Sequence, residues 1–113
     1  MTLTEARKKW ASVKDNAETR YRIQKSDDYI LLGGVLFVLQ KSGNVIAKRV
    51  EPSSFTMKDS IRAFRFWCMK NGVQYLRVEG TKKRYNFLKK MFPHTSILKA
   101  QSKERNIFYI KVF

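Results

Sequence analysis

Sulfur and imidazole are scarce in this 113-residue chain, which holds one cysteine, Cys68, and one histidine, His94. A single cysteine excludes an intrachain disulfide framework, and one Cys with one His cannot form a structural zinc cluster, so no metal is expected. Two prolines and five glycines, with no repeat or low-complexity stretch, leave no room for a linker. One domain over residues 1–113 is expected. The longest apolar run, Tyr29 to Leu39, is interrupted by Gly33-Gly34 and is too short to cross a bilayer. The opening MTLTEARKKW has no apolar core of a secretory signal. There is no P-loop, no dinucleotide fingerprint and no paired-carboxylate motif. These absences lead to the expectation of a cytoplasmic protein with neither a membrane nor a metal partner.

Acid is the other shortage. Nine Asp and Glu stand against 24 Lys and Arg, a formal net charge of +15. Such an imbalance concentrates polyanions at the surface, which makes nucleic acid the first partner class to consider and an acidic protein the second. Apolar residues at 43%, with eight Phe, five Tyr and two Trp, are enough for a core.

Periodicity divides the chain into elements. Leu3, Ala6, Trp10, Val13 and Ala17 make one helical stripe, so an amphipathic helix is expected within residues 1–20, with Thr2 or Thr4 as cap and Glu5 completing a capping box. From Tyr21 to Val50 the residues are β-branched and aromatic, with turn signals at Ser26-Asp27-Asp28 and Lys41-Ser42-Gly43-Asn44. Two or three antiparallel strands follow, and Gly33-Gly34 reads as a bulge or break. A second helix is expected after Thr56, with Asp59 three residues on and Asn71-Gly72 at its end. Val73 to Val78 reads as a short central strand, then a helix spans Thr81 to Met91 after a Glu79-Gly80-Thr81 turn. Strands over Ser96 to Gln101 and Asn106 to Phe113 close the chain, joined by Ser102 to Arg105. The fold class is α+β, a mixed, mostly antiparallel sheet flanked by helices, in the order α-β-β(-β)-α-β-α-β-β.

That order, with the run NGVQYLRVEGTKKRYNFLKKMFP, resembles the second half of the GNAT (GCN5-related N-acetyltransferase) fold over roughly residues 29 to 113, and the FLK in the last helix is similar to small GNAT-like proteins of tailed phages. The resemblance implies a location in a host cytoplasm or a virion, and an acetyl-CoA site where backbone N–H groups of a glycine-containing loop meet the pyrophosphate at a helix N-terminus. The matching stretch here, EPSSFTMKDS (residues 51–60), has no glycine, a proline without N–H, and Asp59 where an anion would sit. Phe87 falls where the family carries a tyrosine general acid, and Tyr85 lies roughly 200° around the helix from it. Glu51 occupies the place of a general base, without a second titrating partner. The fold is therefore expected without the chemistry: no catalytic residues and no cofactor.

The candidate site is the helix Thr81 to Met91. Lys82, Lys83, Asn86, Lys89 and Lys90 share one helical face, opposite Tyr85, Leu88, Met91 and Phe92. Within the helix no acidic residue four positions away offsets the lysines. Arg62, Arg65 and Lys99 are expected to join them in neutralising phosphates, with Lys48-Arg49, Arg77, Lys103, Arg105 and Lys111 as further cations nearby. No aromatic RNP-type signature points to base stacking. Two other readings stay open: a divergent acyl-CoA-dependent N-acetyltransferase holding CoA near Ser53 to Lys58, and a phage virion or inhibitor protein that docks on a host protein, its charge serving encounter.

Overall fold

The structure, a computed structural model, describes residues 1–13, 21–93 and 106–113, and the backbone of residues 96–100. Its elements run α1 (Leu3–Ala11), β1 (Asp28–Leu32), β2 (Val35–Leu39), β3 (Val45–Arg49), α2 (Met57–Lys70), β4 (Tyr75–Gly80), α3 (Lys82–Met91), β5 (Ser96–Ala100) and β6 (Asn106–Lys111). The architecture is α+β: among the described residues there are three helices and two three-stranded sheets, β1-β2-β3 and β4-β6-β5, with every strand pair antiparallel. Parallel pairing, expected of a mixed sheet, does not occur among the described strands. Residues Met1–Ser60 and Ile61–Phe113 form two compact units.

In the first unit α1 starts at Thr2, whose Oγ1 accepts the Glu5 N–H at 3.1 Å. The helix ends at Ala11. Ser12 N–H donates to the Lys8 and Lys9 carbonyls, and Ser12 Oγ donates to Lys9 O at 2.6 Å, so a serine absorbs the acceptors of the last turn. Residues 14–20, the rest of the expected helix, lie outside the described residues. Ala6 and Trp10 on the helical stripe bury against Ile23, Leu36 and Val38, with Tyr29, Leu31 and Ile46 around them. Tyr21 to Ile23, expected to be strand-like, is a connection held by side chains: Arg7 Nε donates to Ile23 O at 2.7 Å and Tyr21 Oη to Asp27 Oδ2 at 2.7 Å.

The glycine pair is a hairpin turn rather than a bulge. Gly33 (φ +56°) and Gly34 (φ +77°) both take the left-handed region, the requirement of a two-residue type I′ turn, and Leu32 pairs with Val35 across it. β2 lies between β1 and β3 with all five residues buried.

Two cations from this unit are structural. Lys48 is 6% exposed, donates from Nζ to the Trp10 carbonyl near the end of α1, and lies 4.7 Å from the Trp10 ring centroid. Arg49 donates to Gly33 O at 3.3 Å and to Phe55 O at 3.0 Å. Neither side chain is available to the basic surface expected of them.

α2 opens with a reciprocal capping box, Asp59 N–H to Thr56 Oγ1 at 3.1 Å and Thr56 N–H to Asp59 Oδ2 at 2.9 Å. It ends in a Schellman arrangement: Gly72 at φ +71°, Val73 N–H to Cys68 O at 2.8 Å and Gly72 N–H to Met69 O at 3.3 Å.

In the second unit β6 is the central strand, and β4 takes an edge of its sheet instead of the expected middle. The chain's last strand inserts between β4 and β5, burying Phe108 and Ile110. Glu79 and Gly80 belong to β4, paired with Ile107 and Asn106, so the expected three-residue turn shrinks to Thr81. α3 covers the Leu76/Phe108/Ile110 side: Tyr85 lies 5.3 Å from the Phe108 ring, and Leu88 and Phe92 are buried.

Candidate functional site

The cationic face follows from the way α3 is started and seated. Thr81 caps it, its Oγ1 accepting the Arg84 N–H at 3.3 Å. With about 100° per residue, burial of Leu88 and Phe92 turns the Lys82, Lys83, Asn86, Lys89 and Lys90 positions outward, and all five are exposed. Tyr85 and Met91, expected on the buried side, are half-buried.

Electrostatically the face is poor for an isolated helix. The first turn of α3 carries Lys82, Lys83 and Arg84 and no acid, so cations crowd the positive end of the helix dipole. Among the described residues no ion pair to Lys82, Lys83, Lys89 or Lys90 is present. Lys89 Nζ leans on Tyr85, 3.4 Å from its hydroxyl and 5.6 Å from its ring centroid. A bound anion would relieve this crowding.

Arg62 and Arg65 meet the face at one point. Together with Ile61, Lys90, Met91 and Phe92 they line an open depression of about 240 Å³. The Arg65 guanidinium carbon lies 5.8 Å from the Phe92 ring centroid, and its Nε is buried without a hydrogen-bond partner. Two arginine forks and an ammonium over an apolar floor suit a phosphate or carboxylate oxygen. Lys99 is placed by its backbone opposite Ile107 in β5; its side chain, like Lys103, Arg105 and His94, lies outside the described residues. Arg84 was not among the expected residues, because two positions from Lys82 is the far side of the helix. It is exposed and donates from Nη1 to Glu79 O at 3.1 Å.

The start of α2 does not fit a CoA pyrophosphate. Three N–H groups around its start already have side-chain acceptors: Phe55 N–H donates to Ser53 Oγ, Thr56 N–H to Asp59 and Asp59 N–H to Thr56. The Asp59 carboxylate occupies the position an anion would take. Glu51 is ion-paired to Lys9 at 2.8 Å, which ties the loop to α1. Cys68 is fully buried and its thiol is pushed up to about 12 by that burial, far from a nucleophile at neutral pH. Tyr85, the nearest tyrosine to the general-acid position, packs its ring on Phe108.

Among the described residues no group of three metal-ligating side chains occurs, and no helix is long and apolar enough to cross a membrane. No protein-family model, curated protein or solved structure matches the chain.

Proposed function

We propose that this protein is a non-catalytic, GNAT-like binding module that holds nucleic-acid phosphates on the exposed face of α3 and in the adjoining depression. The observation that carries the reading is the meeting of Arg62 and Arg65 from α2 with Lys90 from α3, beside Lys82, Lys83 and Lys89 on the same helix. The net charge of +15 supplies long-range attraction to a polyanion, and the lysine ammonium groups with the guanidinium groups lining the depression supply the contacts. The element order from β1 onward, a meander followed by helix, strand, helix and closing hairpin, is in keeping with the GNAT resemblance. A phage origin and a cytoplasmic or virion location rest on that resemblance alone. The acetyltransferase reading is disfavoured by the self-capped start of α2, where Asp59 stands in the anion's place. Docking on an acidic host protein uses the same cations, and differs in retaining its affinity when nucleic acid is absent.

The test is fluorescence anisotropy with a short labelled DNA duplex and its RNA counterpart across a salt series, with acetyl-CoA titrated by calorimetry in parallel. Nucleic-acid binding with a steep salt slope and no heat from acetyl-CoA is expected. Saturable acetyl-CoA binding with negligible nucleic-acid affinity at physiological salt would refute the proposal.

A further inference from the structure

The other face of the second sheet carries a feature that the basic helix does not use. Side chains alternate along a strand, and in the β4/β6 register Tyr75 lies opposite Lys111, Arg77 opposite Tyr109 and Glu79 opposite Ile107. These six residues share the face turned away from α3, since Phe108, which meets Tyr85 of α3, alternates with Tyr109. Tyr75 and Tyr109 stack across the strands, ring centroids 5.1 Å apart and planes 17° from parallel. Tyr75 remains 44% exposed. Val112 N–H donates to Gln74 O, which continues the pairing beyond β6, so the exposed Phe113 extends the same alternation as Tyr109 and Lys111.

Charge borders the rings. Lys111 is exposed next to Tyr75, and Arg77 lies beside Tyr109 with its Nε buried and without a hydrogen-bond partner. The acid of this face, Glu79, is four residues from Tyr75, about 14 Å along the strand. Flat aromatic surface with flanking cations is the arrangement by which unpaired nucleotides are held: bases stack on the rings and phosphates meet the cations, tolerant of sequence because every base has a π-face. A duplex keeps its bases stacked inside and cannot use such a surface.

We infer that the Tyr75/Tyr109 face of the β4-β6-β5 sheet is a stacking platform for single-stranded nucleic acid. It is a second surface, separate from the α3 face, and selects unpaired bases where the lysines of α3 answer only to phosphate. The RNP-type spacing is absent from the sequence because the two tyrosines come from strands 34 positions apart, joined only by the sheet.

Anisotropy with two probes of equal length tests this, an oligothymidylate and an abasic phosphodiester oligomer with the same charge. The wild-type chain is expected to bind oligothymidylate about 5- to 150-fold more tightly than the abasic oligomer, the range of one stacked base. Tyr75→Ala closes the gap by lowering only the oligothymidylate affinity, while Tyr75→Phe, which keeps the ring, preserves it. Replacing Lys82, Lys83, Lys89 and Lys90 lowers both affinities in parallel and leaves the gap, so failure of the platform and failure of the basic helix give different results. Equal binding of the two probes by the wild-type chain would overturn the inference, as would a gap that survives Tyr75→Ala. A self-associating chain that becomes monomeric on Tyr75→Ala, with no preference between probes, would assign the face to a second copy and overturn it equally.

Discussion

Replacing the four exposed lysines of α3 by glutamine removes charge while keeping side-chain length, and its effect on duplex binding follows from the helix geometry. Lys82 and Lys90 are eight residues apart, about 12 Å at 1.5 Å per residue. Phosphates of one strand recur about every 3.4 Å of duplex axis, so a face of this length laid along the axis meets about three to four of them. Each neutralised phosphate contributes about 0.9 to the slope of log affinity against log salt on duplex DNA, and the variant should lose about 3 from that slope. Between 50 and 200 mM salt this part of the attraction accounts for about a 50- to 100-fold change in affinity. Stability should change little with it: Lys82 and Lys83 crowd the positive end of the helix dipole while Lys89 and Lys90 complement its negative end, so the melting temperature of the variant should stay close to that of the wild type. Anisotropy at five salt concentrations reads the slope, and circular dichroism reads the melting temperature. A folded variant whose slope stays within about 1 of the wild-type value would refute α3 as the main phosphate contact.

Three further outcomes are expected. Gly34→Ala forces a left-handed residue and sets a new Cβ 2.5 Å from the Glu51 carbonyl oxygen, while Val50 and Glu51 N–H groups both donate to Gly34 O. It should cost about 2–4 kcal/mol and lower the melting temperature by more than about 8 °C; a thermal melt indistinguishable from wild type would contradict the turn assignment. Burial, then the hydrogen bond and charge of Asp27, push Tyr21 up from 10.0 to about 12. Because the folded value lies above the unfolded one, the contribution of Tyr21 is fully present below pH 10 and is lost as pH rises from about 10 to about 12. The stability difference between wild type and Tyr21→Phe should shrink over that window in denaturant titrations, and a difference constant with pH would count against it. Cys68 should react with iodoacetamide at pH 8 only as fast as the chain opens, with a rate that rises with denaturant. Prompt stoichiometric labelling of the folded protein would show the thiol to be accessible.

Local chemistry made much of the secondary structure legible. The Thr2 and Thr56 caps, the Gly72 C-cap and the span of α3 each depend on residues three or four apart, so composition and spacing carry them. The exposed lysine face is legible for the same reason, since helical rotation alone separates it from Leu88 and Phe92. α1 stops at Ala11 although its apolar stripe runs on to Val13, because the Ser12 hydroxyl takes a last-turn carbonyl. Gly33-Gly34 was ambiguous between bulge and break, since only the pairing of β1 with β2 shows that the strand breaks there into a hairpin.

By itself, then, the sequence determined the α+β class, the absence of a disulfide framework, the large positive charge and the cationic side of α3, all properties of composition or short-range periodicity. Tertiary structure alone decided which cations serve the surface. Lys48 reaches a carbonyl 38 residues away and is buried, whereas Arg62 and Arg65 join Lys90 around one depression. It also decided that β6 lies between β4 and β5, and so that Tyr75 and Tyr109 stack. The order of strands and the register of those not joined by a tight turn are set by hydrogen bonds and burial between distant segments, which local spacing of residues does not record.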